Sequence, residues 1–372
     1  MRYCRECVQP DTRPGVKFDE NGICLACVIT KQRENSVNWQ RRKAELNGII
    51  REAKEKAITW DCVVAVSGGK DTTFQALYAR DQLGLNCLLV NCAPDNISAP
   101  GRKNIENLVQ KGFDLITIRP NPIVERALSR RAFFEFGNFV KPLEYPLYAS
   151  SFRVALNYKI PLVVAGENPL EILGVSDYFT LSGDAMQWRN AQTVAGGDAS
   201  VWAKDGVKKE DLFFYQFPDE KDLKSSGMKA IFLGYYVKEW TNHNNTVFSV
   251  GRGLAGRDNH DPLATGRTNK YFSLDADLKI INQNILKYYK FGFGAVTDEV
   301  MYDIRQGLIT REEGIRLVQR YDGKCSDLYV QQWCDYIGIT LSEFWTNIDK
   351  WVNRKLFWKD DKGNWSPKFS VG

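Results

Sequence analysis

The stretch Cys62-Val63-Val64-Ala65-Val66-Ser67-Gly68-Gly69-Lys70-Asp71-Thr72-Thr73-Phe74-Gln75-Ala76-Leu77 decides the fold. Residues 62–66 are a short apolar run that reads as a buried parallel strand, and residues 74–79 read as the first turns of a helix. A strand, a Gly-rich turn and a helix start leave backbone N–H groups converging on one spot, where the helix dipole also favours an anion. The spacing is not that of a Walker A loop, because no glycine stands five residues before Gly69-Lys70. It is the other phosphate cradle, S-G-G-x-D-[ST], associated with enzymes that split ATP into AMP and pyrophosphate. A chain carrying it in this setting is expected to use ATP.

Outward from the loop, apolar runs and helical stretches alternate. Strands are expected over 85–91, 113–118, 160–165 and 230–237, and helices over 102–111, 122–136 and 145–158. A charged helix over 37–57 precedes the first strand. Such alternation predicts an α/β fold, a parallel doubly wound sheet with helices on both faces and a ligand crevice at the strands' carboxyl ends. Those ends are the Ser67 loop, Asn91-Cys92 and Gly166-Glu167-Asn168. Residues 169–228 lose any clear period, which in a compact domain suggests a lid or a binding region. Beyond residue 266 the pattern is helical. One amphipathic helix is expected over 275–289, and capping boxes at Thr310/Glu313 and Thr340/Glu343 open two more.

Before all of this stand Cys4-x-x-Cys7 and Cys24-x-x-Cys27, sixteen residues apart. Two such knuckles can close a tetrahedron of thiolates, so a structural zinc site is expected; spacing alone does not separate zinc from an iron–sulfur cluster. Four thiolates leave no open position for catalysis. The remaining cysteines, Cys62, Cys87, Cys92, Cys325 and Cys334, form no ligand-spaced pair and read as core residues. Three parts follow: a zinc module over 1–36, a nucleotide domain over 37–265 and a helical region over 266–372.

The 372 residues are 44% hydrophobic and 26% charged, as in an ordinary globular protein, and no apolar run reaches the ~20 residues of a membrane span. The N-terminus has no apolar signal region, so cytoplasmic residence is expected. A net charge of +5, spread along the chain, gives no reason to expect a nucleic-acid partner. With two histidines in all, acid–base work is expected to rest on carboxylates or lysine.

The chain resembles the N-acetyl sugar amidotransferase family, the WbpG-type enzymes of the PP-loop ATP pyrophosphatase (adenine nucleotide α-hydrolase-like) superfamily. The likeness lies in Cys-Val-Gln-Pro-Asp-Thr-Arg-Pro-Gly and Phe-Asp-Glu-Asn-Gly-Ile-Cys near the N-terminus and in the Ser67 loop. It continues in Gly101-Arg102-Lys103-Asn104, Gly166-Glu167-Asn168 and Lys238-Glu239-Trp240, and more softly in Asp303-Ile304-Arg305-Gln306-Gly307. It implies conversion of an N-acetyl group on an amino sugar into an acetamidino group with ATP and ammonia, in surface-polysaccharide (lipopolysaccharide O-antigen-type) synthesis. In that scheme Ala65, Ser67, Gly68, Gly69, Thr72, Asn91 and Gly166 bind ATP. Lys70 offsets phosphate charge and Asp71 holds Mg²⁺. Glu167 and Asn168 face the reacting carbon, Glu167 as base. Arg102, Asn104, Trp240 and His243 are the candidates for sugar contacts, although a Trp here is more often core and a His more often buried and hydrogen-bonded. The segment Leu170-Glu171-Ile172-Leu173-Gly174 departs from the family's acidic-aromatic-glycine run and leaves the particular sugar open. Ammonia is expected from a separate glutaminase with imidazole-glycerol-phosphate-synthase-like subunits, because Cys4 is committed to metal. The competing readings are a tRNA thiolation enzyme using Cys92, and a non-catalytic zinc adaptor.

Overall fold

A computed structural model describes residues 1–191 and 193–372. Helices α1 (Leu25–Asn35) and α2 (Trp39–Lys56) lead into β1 (Cys62–Ala65), α3 (Lys70–Asp81), β2 (Cys87–Cys92), α4 (Ala99–Gln110) and β3 (Asp114–Ile118). Then come α5 (Pro122–Phe136), α6 (Glu144–Asn157), β4 (Leu162–Ala165), α7 (Pro169–Leu173), α8 (Glu220–Ser226) and β5 (Lys229–Phe232). The five strands are all parallel, in the order β3-β2-β1-β4-β5. Successive side chains point to opposite faces. Val63, Leu88, Val90 and Val163 pack on α5 and α6, while Cys62, Val64, Leu89, Leu162 and Val164 pack on α2 and α3. The sheet is therefore doubly wound, as the alternation predicts. Its order reverses between β1 and β4, and their carboxyl ends flank the crevice.

Two elements differ from expectation. The fifth strand stops at Phe232, and α9 (Leu233–Tyr236) turns at once across the end of β4. Gly234 donates its N–H to the Gly166 carbonyl at 3.0 Å, and the Trp240 ring lies where a Cβ on Gly234 would be. The period-free segment 169–228 is a packed wall: Ala185, Trp202, Leu212, Tyr215 and Phe217 join the core of α5 and α6. Single helical turns replace periodic elements there, which is why no period is visible in the sequence.

The C-terminal part comprises α10 (Asn242–Val250), α11 (Pro262–Thr265), α12 (Lys279–Ile281), α13 (Lys287–Phe291), α14 (Ala295–Arg305) and α15 (Arg311–Tyr321). After them come α16 (Asp327–Ile337), α17 (Leu341–Trp351) and a hairpin of β6 (Phe357–Lys359) and β7 (Trp365–Pro367). The helix expected from residue 275 starts at Lys279, because the Asp275 carbonyl accepts from Ser98 N–H and its carboxylate pairs with Lys279. A π turn, Asn282–Leu286, joins α12 to α13. Both capping boxes form.

The cysteine module is docked on this helical part. Cys4, Cys7, Cys24 and Cys27 share a core with Val296, Val300 and Met301 of α14 and Val318 of α15. Arg311 donates to the Cys4 and Cys7 carbonyls at 3.3 and 3.2 Å, and Arg13 pairs with Asp298. Among the described residues no helix is long and apolar enough to cross a membrane.

Candidate active site

The Ser67 loop is held in shape by three side chains. Asn91 donates to the Val66 carbonyl at 2.8 Å, and Thr72 Oγ1 accepts from Ser67 N–H and donates to the Gly69 carbonyl, both at 3.2 Å. Asn104 Nδ2 donates to the Gly68 and Ala255 carbonyls at 2.9 and 3.0 Å, while its Oδ1 accepts from Ala255 N–H at 2.7 Å. Gly68 has φ +80°, and a Cβ there would overlap the Gly101 carbonyl. No side chain caps the start of α3, so its first-turn N–H groups face the crevice.

Lys70, 5% exposed, reaches Asp71 Oδ2 at 2.6 Å and lies 4.4 Å from the centre of the Phe272 ring. The other Asp71 oxygen accepts from Asn245 of α10 at 2.9 Å. Glu167 follows β4. Burial, helped by the nearby Asp71 carboxylate and opposed by Lys70, pushes its carboxyl up to about 7.

Two cavities meet at these carboxylates, since Asp71 and Glu167 line both. One, of 290 Å³, is the crevice between β1 and β4. Ala65, Ser67, Gly69, Thr72, Gly166 and the stacked pair Tyr148–Trp188 (centroids 4.3 Å apart) line it. Gln75 spans it, donating to the Val164 and Ala65 carbonyls at 2.7 and 3.4 Å. The second cavity, of 170 Å³, is walled by Lys70, Trp240, Phe272, Tyr302, Arg305 and Gln306, among others.

Of the residues singled out by sequence, the structure thus gathers Ala65, Ser67, Gly69, Lys70, Asp71, Thr72, Gly166, Glu167 and Trp240. Three candidates are tied into the framework, and two more lie exposed. Asn168 is fully buried, caps α7 at Leu170 N–H and spends both amide hydrogens on the Thr180 and Ser182 carbonyls, so it has no donor left for a ligand. The Asn91 and Asn104 amides are spent on the loop backbone. Arg102 is exposed on α4 and lines neither cavity. His243, expected to be buried, is exposed at the start of α10, where its N–H meets Gln306 at 3.2 Å. Trp240 is both core and wall: it is 8% exposed and meets Phe74 edge-on while lining the second cavity.

Tyr302, Arg305 and Gln306, at the end of α14, were not candidates. Their one signal was the Asp303–Gly307 likeness, because the fold that carries a C-terminal helix to the loop is not written in local sequence. Arg305 donates to the Met301 and Ile172 carbonyls at 2.8 and 2.6 Å, and its Nη2 has no partner among the described residues.

The four Sγ atoms of Cys4, Cys7, Cys24 and Cys27 lie within 4.8 Å of one another, with 3.9 Å from Cys4 to Cys27 and 3.8 Å from Cys7 to Cys24. A tetrahedron with metal–sulfur bonds of about 2.3 Å has edges of about 3.8 Å. The donor set therefore fits one zinc ion, and it is too tight for a cluster that spreads its thiolates over several irons. Gln9 and Cys24 N–H groups donate to Cys7 and Cys4 sulfur at 3.3 and 3.2 Å, which suits thiolates.

Residues 265–369 match the family model described as LPS biosynthesis protein WbpG-like, C-terminal domain. That C-terminal stretch is similar to the WbpG-like C-terminal domain. No curated protein gives a match. Among solved structures, the chain is similar to NMN synthetase from Francisella tularensis at 15% identity and TM-score 0.29, over 60% of this chain and 100% of that one. It is likewise similar to NAD+ synthetase from Burkholderia pseudomallei at 13% identity and TM-score 0.30, over 63% and 95% of the two chains.

Proposed function

We propose that this protein is an ATP-dependent amidotransferase of the cytoplasm. On this reading it adenylates the N-acetyl carbonyl oxygen of an amino sugar and replaces it with ammonia, giving an acetamidino sugar for a lipopolysaccharide-type surface polysaccharide. The observation that carries the reading is the placement of Asp71 and Glu167 on the wall common to two cavities. ATP on the loop side and the acetamido group on the α14 side would meet there.

The amide oxygen attacks the α-phosphorus, and the bond to pyrophosphate breaks. Loop N–H groups and Lys70 offset charge on the departing phosphates, and Asp71 would hold Mg²⁺, which would supply further charge neutralisation. Ammonia then adds to the imidate carbon, Glu167 takes a proton from it, and AMP leaves with the original carbonyl oxygen. The thiolate-bound zinc takes no part in this chemistry. Ammonia comes from a partner glutaminase with imidazole-glycerol-phosphate-synthase-like subunits, or from free ammonium in its absence.

The tRNA thiolation reading needs a nucleophilic thiolate at Cys92. Burial pushes that thiol up to about 12, so it stays protonated at neutral pH. Mass spectrometry of N-acetylated amino sugars incubated with enzyme, ATP and ammonium tests the proposal. A product with NH in place of oxygen supports it. No such product, with AMP and pyrophosphate formed only on tRNA, would favour thiolation; no turnover of ATP with either acceptor would favour the adaptor.

A further inference from the structure

The ATP-side cavity has a small neighbour. Beyond Ser67, Cys92, Leu147 and Asp275, which line both, lies a space of 30 Å³ between α5, the end of β2 and the C-terminal helices. A water-sized molecule needs roughly 10–15 Å³ on this measure, so one or two fit and nothing larger does. Glu125 and Ser129 stand one turn apart on α5 and share a face. Opposite them, Phe139 and Trp333 are stacked with ring centres 3.8 Å apart.

This wall carries unmet hydrogen-bonding capacity. Ser129 Oγ and Trp333 Nε1 are buried and have no partner among the described residues. Glu125, 2% exposed, accepts from Asp95 N–H through Oε1 at 2.9 Å and lines the same space. Leaving such groups unpaired costs about 1–3 kcal/mol each, so the space is built to be filled. Its occupant accepts a hydrogen bond from the indole and can donate to the hydroxyl and the carboxylate, an inventory that water meets and that, where ammonia is a substrate, ammonia meets as well. Neutral ammonia, with one lone pair and three N–H bonds, has that inventory.

We propose that this cavity is an antechamber that takes up ammonium, deprotonates it and passes ammonia to the reaction site. The inference rests on the ammonia-using reading above. Ammonium gives one proton to the Glu125 carboxylate, an N–H bond breaking as an O–H bond forms, and neutral ammonia moves past Cys92 and Ser67. Glu125 afterwards returns the proton to water. Burial and the neighbouring Asp95 carboxylate push Glu125 up to about 7, against the pull of its hydrogen bond from Asp95 N–H and of Arg119 and Lys279, which suits a transient proton acceptor.

The test uses the full chain with ammonium chloride as the probe and has two readouts. With saturating ATP and sugar, Glu125→Gln and Ser129→Ala should each raise KM for ammonium about tenfold, the effect of one lost hydrogen bond to a charged group, and leave KM for ATP and sugar unchanged. Independently, the Trp333 indole N–H resonance, assigned with Trp333→Phe, should shift with ammonium chloride but not with potassium chloride at fixed pH and ionic strength. Unchanged ammonium KM in both variants together with a silent indole would overturn the antechamber, as would equal shifts with potassium. Parallel rises in KM for ATP and sugar would mark a merely structural role and overturn it too. If wild type makes no amidine at any ammonium concentration, the amidotransferase reading falls, and the indole titration still decides whether the cavity binds ammonium.

Discussion

Glu167 stands where β4 runs out, and its place beside Asp71 gives it two measurable properties. Its carboxyl sits near 7 instead of the ordinary 4.5. In the proposed role of base it acts only when ionised, so turnover should rise with pH through about 7. Glu167→Gln should lose about a hundredfold or more in kcat, together with that inflection, in a pH–rate profile. Stability runs the opposite way. The folded protein keeps a proton that the unfolded chain releases between 4.5 and about 7, so stability is fullest below that window and declines as pH rises through it. Glu167→Gln, which cannot ionise, should therefore unfold at a higher temperature than wild type at pH 8 and at a similar one at pH 4. Cys92→Ser should keep most amidine-forming activity, since a protonated core thiol does no chemistry; its loss would revive the thiolation reading.

At the scale of elements, the strand–loop–helix at Ser67 was legible because every part of its signal is local: apolar run, glycines, helix start. What the sequence hides is where amide side chains spend their hydrogen bonds. Asn91, Asn104 and Asn168 look like site residues by position, yet each ties backbone segments that lie 12 to 151 residues away. The loop's dependence on one glycine is a consequence of this packing. Gly68→Ala demands both a left-handed φ and displacement of the Gly101 carbonyl, so it should cost about 1–3 kcal/mol in unfolding free energy and abolish ATP turnover. The end of α14 is legible only as a likeness, because the cavity it shares with Lys70 and Asp71 joins positions more than two hundred residues apart. Arg305→Ala should raise KM for the acceptor about tenfold and leave KM for ATP alone, with Arg305→Lys restoring part of the loss. Equal rises in both constants would place Arg305 in the scaffold only.

Across the whole molecule, the cysteine module and the C-terminal helices form one support for the second cavity. The module's core includes α14, which brings Tyr302 and Arg305 to the second cavity, and α1, starting at the fourth cysteine's knuckle, brings Arg33 to the same wall. The purified protein is expected to hold one zinc per chain by elemental analysis. Cys7→Ser should lower the thermal midpoint by several degrees and raise acceptor KM more than ATP KM. An unchanged midpoint would remove the module from the scaffold.

The central claim, that ATP activates the acetamido oxygen at the wall shared by Asp71 and Glu167, is tested most directly by isotope transfer. An N-acetylated amino sugar carrying a heavy oxygen isotope in its acetyl carbonyl is incubated with enzyme, ATP and ammonium, and the phosphorus products are analysed. The account predicts the label in AMP, in amount equal to the amidine formed, and unlabelled pyrophosphate. Amidine formed alongside unlabelled AMP, or label in inorganic phosphate beside ADP, would contradict it.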